Sequence, residues 1–250
     1  MLSVLSYLDR IHYSGSTAPN TDTLRGLHHA HLLTVPFENL SIGRGEKIVL
    51  DENALLRKIV ERRRGGFCYE LNGAFAALLR ELGFAVTLLS ARVAREYGGE
   101  GPDFDHLALR VDLEEPWLAD VGFGDSFLEP LRLESRMEQL DPAGSFRLTE
   151  KEDRFELERL TVDKGWKRQF SFTLAPRGLQ DFGGMCHYHQ TSPESSFTQN
   201  RICSRATPDG RITLSGLKLI VDQNGNRNER MLESEEEWLS ILRKDFGIVL

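Results

Sequence analysis

Residues 62–75, RRRGGFCYELNGAF, join the end of one helical pattern to the start of another and place a single cysteine at the joint. Gly65 and Gly66 permit a tight turn, and from Cys68 onward apolar residues recur at helical spacing: Leu71, Phe75, Leu78, Leu79 and Leu82, with Gly83 as the stop. Cys68 is either a core thiol that follows a turn or a nucleophile set at a helix N-terminus. A free cysteine has a pKa near ~8.5, and its thiolate is the attacking species. Unpaired N–H groups and the helix dipole favour negative charge at that position, and the same N–H groups could form an oxyanion hole.

Upstream, the texture is helical as far as about residue 84. DTLRGLHHAHLLTV (22–35) places Leu24, Leu27, Ala30, Leu32 and Leu33 near one face, with Thr21 or Asp22 as N-cap and Pro36 as terminator. DENALLRKIVERRRGG (51–66) opens on a capping residue, Asp51, and carries Ala54, Leu55, Ile59 and Val60 on a stripe up to the glycines. These helices predict a small bundle. Its basic ERRRGG end reads as a solvated helix terminus with one arginine turned inward.

Downstream of Gly83 the period changes to two. AVTLLSARVA (85–94), HLALRVDL (106–113), WLADVGFG (117–124), SFRLTEKEDRFELERLTV (145–162) and WKRQFSFTL (166–174) alternate apolar and polar residues, which predicts an antiparallel sheet or barrel. From about residue 190, a Ser/Pro-rich turn leads into strands joined at Pro208-Asp209-Gly210, and SEEEWLSILRKDFG (234–247) predicts a terminal helix capped by Ser234 with an acidic first turn. The expected division is a helical bundle over 1–84, a β unit over 85–190 and an α/β segment over 191–250.

Composition narrows the function. The 250 residues are 40% hydrophobic and 28% charged, ordinary globular values. The net charge of −7 argues against general attraction to nucleic acid or to an anionic membrane. No run of 18 apolar residues occurs, and Asp9 and Arg10 interrupt the N-terminus too soon for a secretory signal, so a cytoplasmic protein is expected. Cys68, Cys186 and Cys203 are odd in number, widely spaced and without a CxxC, which predicts reduced thiols, the last two as packing residues. His28, His29 and His31 fall on different helical faces, and His187 and His189 alternate as on a strand without a third ligand, so no metal is expected.

A catalytic thiol needs a base and a group that orients the base. DFDHLALRV puts His106 at the start of one strand, and WLADVGFG puts Asp120 at the end of the next. In an antiparallel pair these ends are neighbours, so the carboxylate would fix the imidazole tautomer while the other ring nitrogen faces the thiol. Spacing alone leaves both the structural and the catalytic reading of Cys68 open.

Four motifs taken together, VPFENL (35–40), RRGGFCYELN (63–72), DHLALRV (105–111) and LADVGFG (118–124), resemble the arylamine N-acetyltransferase family and occur in the family's order; the tail HQTSPESSFTQNRICSRATPDGRITLSGLKL and the terminal helix are similar too. The resemblance spans almost the whole chain and looks prokaryotic in form. It implies an α+β fold of N-terminal helical bundle, central antiparallel β-barrel and C-terminal α/β lid, with a papain- or transglutaminase-like triad falling on Cys68, His106 and Asp120. It implies a cytoplasmic acyltransferase of xenobiotic metabolism. An acetyl group would pass from acetyl-CoA to Cys68 and then to an arylamine, arylhydrazine or N-arylhydroxylamine. No metal, nucleic acid or membrane is implied, and the protein would be a monomer or weak homo-oligomer. Phe37, Tyr69 and Phe123 are expected to line the acceptor cleft, where aromatic faces stack on an aryl amine.

Gly124 would let the CoA chain approach closely. Thr207, Gly210 and Thr213, with Arg201, Arg205 or Arg211, are expected to meet the CoA phosphates. Arg10, Glu38 and Arg64 are expected to brace the loop before Cys68. Asp103 and Asp105 depart from the family pattern ahead of the histidine. Two carboxylates there would favour a cationic His106 and repel an anionic donor. Alternatives that keep the same triad are an amide synthase acting on an aryl-amine-primed polyketide and a cysteine hydrolase. The hydrolase would want a CGxCW context, a pro-segment or a calcium site, and none is present in the sequence.

Overall fold

The computed structural model describes residues 4–96 and 98–250. The N-terminal part contains α1 (Val4–Arg10), α2 (Thr21–Thr34), a short strand β1 (Phe37–Glu38), α3 (Leu40–Gly43), α4 (Glu52–Leu56) and α5 (Cys68–Glu81). α2 ends before Pro36 as expected, but its cap is Asn20, whose side chain accepts from the Thr23 N–H at 2.9 Å. Asp51 caps α4 through the Ala54 N–H. The expected run to the glycines is broken, because α4 continues as a π-helical turn over Arg57–Glu61. The wider turn leaves Lys58, Ile59 and Val60 all buried, which a regular helical stripe would not.

Next come β2 (Ala85–Val93), β3 (His106–Asp112), β4 (Pro116–Ala119), β5 (Leu131–Arg132), β6 (Gln139–Asp141), β7 (Gly144–Lys151), β8 (Arg154–Thr161) and β9 (Gly165–Phe172). Among the described residues these form one antiparallel sheet in the order β5-β4-β3-β2-β9-β8-β7-β6. Side chains draw its two edges together into a nearly closed barrel. Gln139 exchanges bonds with the Arg132 backbone at 2.8 and 3.1 Å, and the Asp141 carboxylate accepts from the N–H groups of Leu128 and Glu129.

A 3₁₀ turn (Leu179–Phe182), α6 (Gly183–Thr191) and α7 (Ser196–Gln199) follow. His187 and His189 therefore lie on a helix and not on a strand, and α6 runs across residue 190. The H-Y-H alternation misleads because this helix is short. The chain ends in β10 (Ile202–Thr207), β11 (Gly210–Ser215), β12 (Lys218–Gln223), β13 (Asn226–Met231) and α8 (Glu235–Phe246). These strands form a second antiparallel sheet, β1-β10-β11-β12-β13. α8 is capped by Ser234 and stops at Gly247, whose φ is +69°.

Alternation along β3 explains how the parts join. Leu107, Leu109 and Val111 pack into the helical core with Phe75, Leu78 and Leu79, while Ala108 belongs to the barrel interior with Phe146, Phe170 and Phe172. The β3 strand is thus a shared wall, and the residue that opens it is His106.

Candidate active site

Cys68 is the first residue of α5 and is 4% exposed. The helix start is set by Glu70. Its carboxylate accepts from the Phe67 N–H at 3.2 Å and takes Lys58 Nζ at 2.7 and 2.9 Å. Burial pushes the Glu70 carboxyl up and Lys58 opposes this. Neither member of this buried ion pair was expected from sequence; the π-helical turn delivers Lys58.

The two glycines do a different task from the expected one. Neither has positive φ. A Cβ at Gly65 would overlap the Pro36 carbonyl oxygen, and one at Gly66 would lie 2.6 Å from Glu70 Cβ. They permit close approach of the loop before Cys68 to the PFEN segment, and each residue of that segment has a contact. Pro36 meets Gly65, and Phe37 bridges to Gly66. Glu38 pairs with Arg64 at 2.9 Å, and Asn39 bonds the carbonyls of Phe197 and Asn200 and the N–H of Ile202. Arg10 does not join the Glu38–Arg64 pair. It donates to the carbonyls of Thr34, Ile59, Arg63 and Arg64, bracing the same loop through its backbone.

His106 and Asp120 meet as the antiparallel pairing of β3 and β4 predicts: His106 Nε2 lies 2.7 Å from Asp120 Oδ2. Because an ionised carboxylate only accepts, Nε2 carries the proton and Nδ1 is left to receive one. The edge of Phe123 stands over the imidazole at 5.2 Å, with Phe170 at the same distance. Asp120 Oδ1 accepts from Asn72 Nδ2 at 2.8 Å and from the Gly122 N–H at 2.9 Å. Asn72 is fully buried, also donates to Leu107 O at 2.6 Å and accepts from the Val121 N–H at 2.9 Å. It sits four residues after Cys68, on the same helix face, and thereby ties α5 to β3 and to the loop after β4.

Burial pushes the Cys68 thiol well above its usual range, and the carboxylates of Asp120 and Asp105 add to this; a backbone hydrogen bond with Leu107 works against it. The helix N-terminus does not by itself make the thiolate here. Its formation requires transfer of the proton to a base beside it. Cys186 is pushed up to about 12 and Cys203 well up, both by burial first.

The loop after β4 is pressed against Cys68. A Cβ at Gly122 would stand 2.7 Å from Asn72 Nδ2 and 2.8 Å from Cys68 Cα. Gly122→Ala is therefore expected to lose about 1–3 kcal/mol of stability and to slow turnover, because the backbone around Cys68 or the Asn72 amide must shift. Denaturant unfolding and steady-state rates both unchanged in this variant would refute that packing.

His28 holds the same loop. Its Nδ1 donates to Leu128 O at 2.8 Å and its Nε2 accepts from the Asp120 N–H at 3.0 Å, so the ring is neutral and bridges two residues of the segment after β4. Burial lowers its pKa to about 4. The unfolded chain binds the proton near pH 6.5 and the folded chain only near 4, so stability is full above 6.5 and falls as pH drops toward 4. Between pH 7 and pH 5, His28 alone is expected to remove on the order of 2 kcal/mol. Denaturant unfolding at both pH values should show a smaller drop in His28→Gln than in the parent protein; an equal drop would refute the assignment.

The remaining expected residues divide. Tyr69 is fully buried and its hydroxyl donates to the carbonyls of Phe104 and Asp105 at 2.7 and 3.1 Å, so it pins the turn ahead of His106. Phe37 and Phe123 are half-buried. Asp103 is held by the Arg92 fork at 2.7 and 2.8 Å, which keeps its carboxyl below the usual range. Asp105 lies 3.2 Å from His189 Nε2, off the line of a hydrogen bond. Both charges have a basic neighbour, which weakens the expected repulsion of a donor.

A cleft of about 700 Å³ opens between the barrel and the second sheet, bordered by Asp125 of the loop after β4. Thr207, Gly210 and Arg211 line it, together with Arg159 and Arg227, which were not expected. A Cβ at Gly210 would overlap Asp222 O, so strand packing by itself requires this glycine. Gly124 has φ +93° beside the Phe37 ring. Thr213 bonds Ser204 Oγ at 2.7 Å on the sheet next to Phe37. Arg201 forks onto Glu235 and stacks 3.9 Å over Trp238, and Arg205 bonds the carbonyls of Leu33 and Asp245; neither lines the cleft. Among the described residues no three His, Cys, Asp or Glu side chains are grouped to hold a metal, and no helix is long and apolar enough to cross a membrane.

Comparison with known proteins agrees with this geometry. Residues 20–250 match the family model described as N-acetyltransferase. The arylamine N-acetyltransferase of Escherichia coli is 37% identical over 97% of this chain and 87% of its own length. The solved Salmonella typhimurium arylamine N-acetyltransferase superposes with a TM-score of 0.93 at 33% identity, covering 99% of this chain and 92% of that one. The Mycobacterium marinum enzyme in complex with CoA gives 0.92 at 33% identity, over 98% and 93% of the two chains.

Proposed function

This chain belongs to the N-acetyltransferase family whose relatives are arylamine N-acetyltransferases, and from that premise we propose how its own residues carry the reaction. The protein is an acyltransferase that moves an acetyl group from acetyl-CoA to an arylamine nitrogen. The relatives' names support acetyl transfer and give no support to the amide-synthase or hydrolase alternatives.

Cys68 gives its proton to His106 Nδ1 and attacks the acetyl carbonyl of the donor; the imidazolium then returns the proton to the departing CoA sulfur, leaving a thioester on Cys68. The arylamine, neutral near pH 7, enters without a desolvated charge and attacks that thioester. Its proton passes to His106 and on to the Cys68 sulfur as the amide leaves. Asp120 keeps Nδ1 as the accepting nitrogen and stabilises the imidazolium. First-turn N–H groups of α5 would receive the oxyanion. Phe37 and Phe123 would flank the acceptor, as would arylhydrazines and N-arylhydroxylamines be held. The cleft lined by Arg159, Arg211 and Arg227 would take the donor's phosphates. The protein is read as cytoplasmic, as a monomer or weak homo-oligomer.

The observation that carries this reading is the His106–Asp120 contact, tied by Asn72 to the helix that the buried Cys68 begins. Intact mass after brief exposure to acetyl-CoA without amine tests it: one acetyl group should appear on the protein and disappear as N-acetylated amine forms. A protein that turns over without ever carrying the acetyl group would overturn the two-step route.

A further inference from the structure

A second charged cavity, about 370 Å³ in volume, shares no lining residue with the cleft beside the barrel. Four cations line it, Arg10, Arg63, Arg205 and Lys244, with His12 and one carboxylate, Asp245. The cavity gathers the end of α1, the end of α2, the loop that leads to Cys68, strand β10 and the end of α8. In a chain of net charge −7 this is a local reversal of sign.

Few of these charges are neutralised. Arg10, 4% exposed, donates only to backbone carbonyls, and Arg205 donates to the carbonyls of Leu33 and Asp245. Among the described residues, the side chains of Arg63 and Lys244 make neither a hydrogen bond nor an ion pair. The C-terminal ends of α2 and α8 supply about half a negative charge each. With the end of α1 and Asp245 counted as well, about one and a half positive charges remain uncompensated. Burial first, and then the neighbouring charges of Arg63 and Arg205, lower the Arg10 pKa to about 10, as expected for cations facing one another without a counterion.

We propose that this cavity is an anion-binding site for a dianionic phosphate, either inorganic phosphate or the phosphate monoester of a small metabolite. The Arg63 guanidinium and the Lys244 ammonium are free to donate to phosphate oxygens, while Arg10 and Arg205, whose donors are held by backbone carbonyls, add positive charge to the cavity. An occupant would tie the ends of three helices to the loop before Cys68 and so stabilise the fold by mass action.

Titration calorimetry at near-physiological salt, with inorganic phosphate in one arm and ribose 5-phosphate in the other, tests the site without reading acetyl transfer at all. One saturable site per chain is expected. Arg63→Gln combined with Lys244→Gln, both exposed positions, should weaken binding on the order of tenfold or more; Arg159→Ala with Arg227→Ala in the opposite cleft should leave it unchanged. Tighter binding of the ester would point to a metabolite, and tighter binding of inorganic phosphate to the free ion. Absence of saturable binding with both probes, binding insensitive to the Arg63/Lys244 pair, or binding abolished by the cleft pair instead would overturn the proposal, and none of these results bears on the acetyl-transfer mechanism.

Discussion

Cys68→Ser is expected to take up no acetyl group from acetyl-CoA and to lose transfer by a factor on the order of 10⁴ to 10⁶, as enzymes do when the nucleophile of a coupled constellation is removed. The change is small in volume, and Cys68 is enclosed at the first position of a helix whose start is set independently by Glu70 and Lys58, so the fold should survive. Loss of activity therefore reports chemistry. A hydroxyl is far less acidic than a thiol, and burial raises the cost of the anion further. Intact mass and turnover measured beside a thermal melt separate the two effects. An acetylated serine variant with substantial turnover would place the nucleophile elsewhere, and Cys186 and Cys203 would then have to be tested in turn.

Asp120→Asn is expected to cost about 10² to 10⁴ in the rate of thioester formation. Three donors converge on this carboxylate: His106 Nε2 on Oδ2, and Asn72 Nδ2 and the Gly122 N–H on Oδ1. An amide can accept at only one of its two positions. If its NH₂ faces His106, the imidazole must turn to the tautomer that carries the proton on Nδ1 and cannot receive one from Cys68. If it faces Asn72 and Gly122 instead, buried donors oppose one another at about 1–3 kcal/mol each. Single-turnover acetylation and denaturant unfolding, measured on the same variant, distinguish the two arrangements: the first loses rate with stability kept, the second loses both. A variant within a few-fold of the parent in both would remove Asp120 from the mechanism.

Much of the fold was legible in the sequence, because its signals are local. Asp51 and Ser234 cap the helices they precede, Gly247 ends the last one, and the period-two segments after residue 84 become strands β2, β3, β4, β7, β8 and β9, with β5 and β6 falling outside them. Each of these depends on groups within a few residues of one another. Local reading failed where local and global preferences diverged. The π-helical turn at Arg57–Glu61 breaks an apparently regular stripe so that Lys58 can reach Glu70, and the H-Y-H pattern of α6 resembles a strand while folding as a helix. Gly65 and Gly66 were read as turn residues, yet what demands them is the backbone of Pro36 and the side chain of Glu70.

The candidate site divides in the same way. By itself the sequence determined that a cysteine follows a double glycine at a helix start, and that a histidine and an aspartate 14 residues apart open and close neighbouring strands. Such spacings translate directly into helix ends and strand registers. Only the tertiary structure decided which buried polar groups satisfy which. Asn72 meets an aspartate 48 residues away, and His28 reaches across 92 residues to the same aspartate's N–H and across 100 to the Leu128 carbonyl. The Tyr69 hydroxyl is taken up by the Phe104 and Asp105 carbonyls, and Arg159 and Arg227 join Arg211 at the cleft beside the barrel, where Arg201 and Arg205 do not reach. A buried donor or acceptor must find a partner wherever packing puts one, and that choice is made by the whole folded chain rather than by a residue's neighbours in sequence.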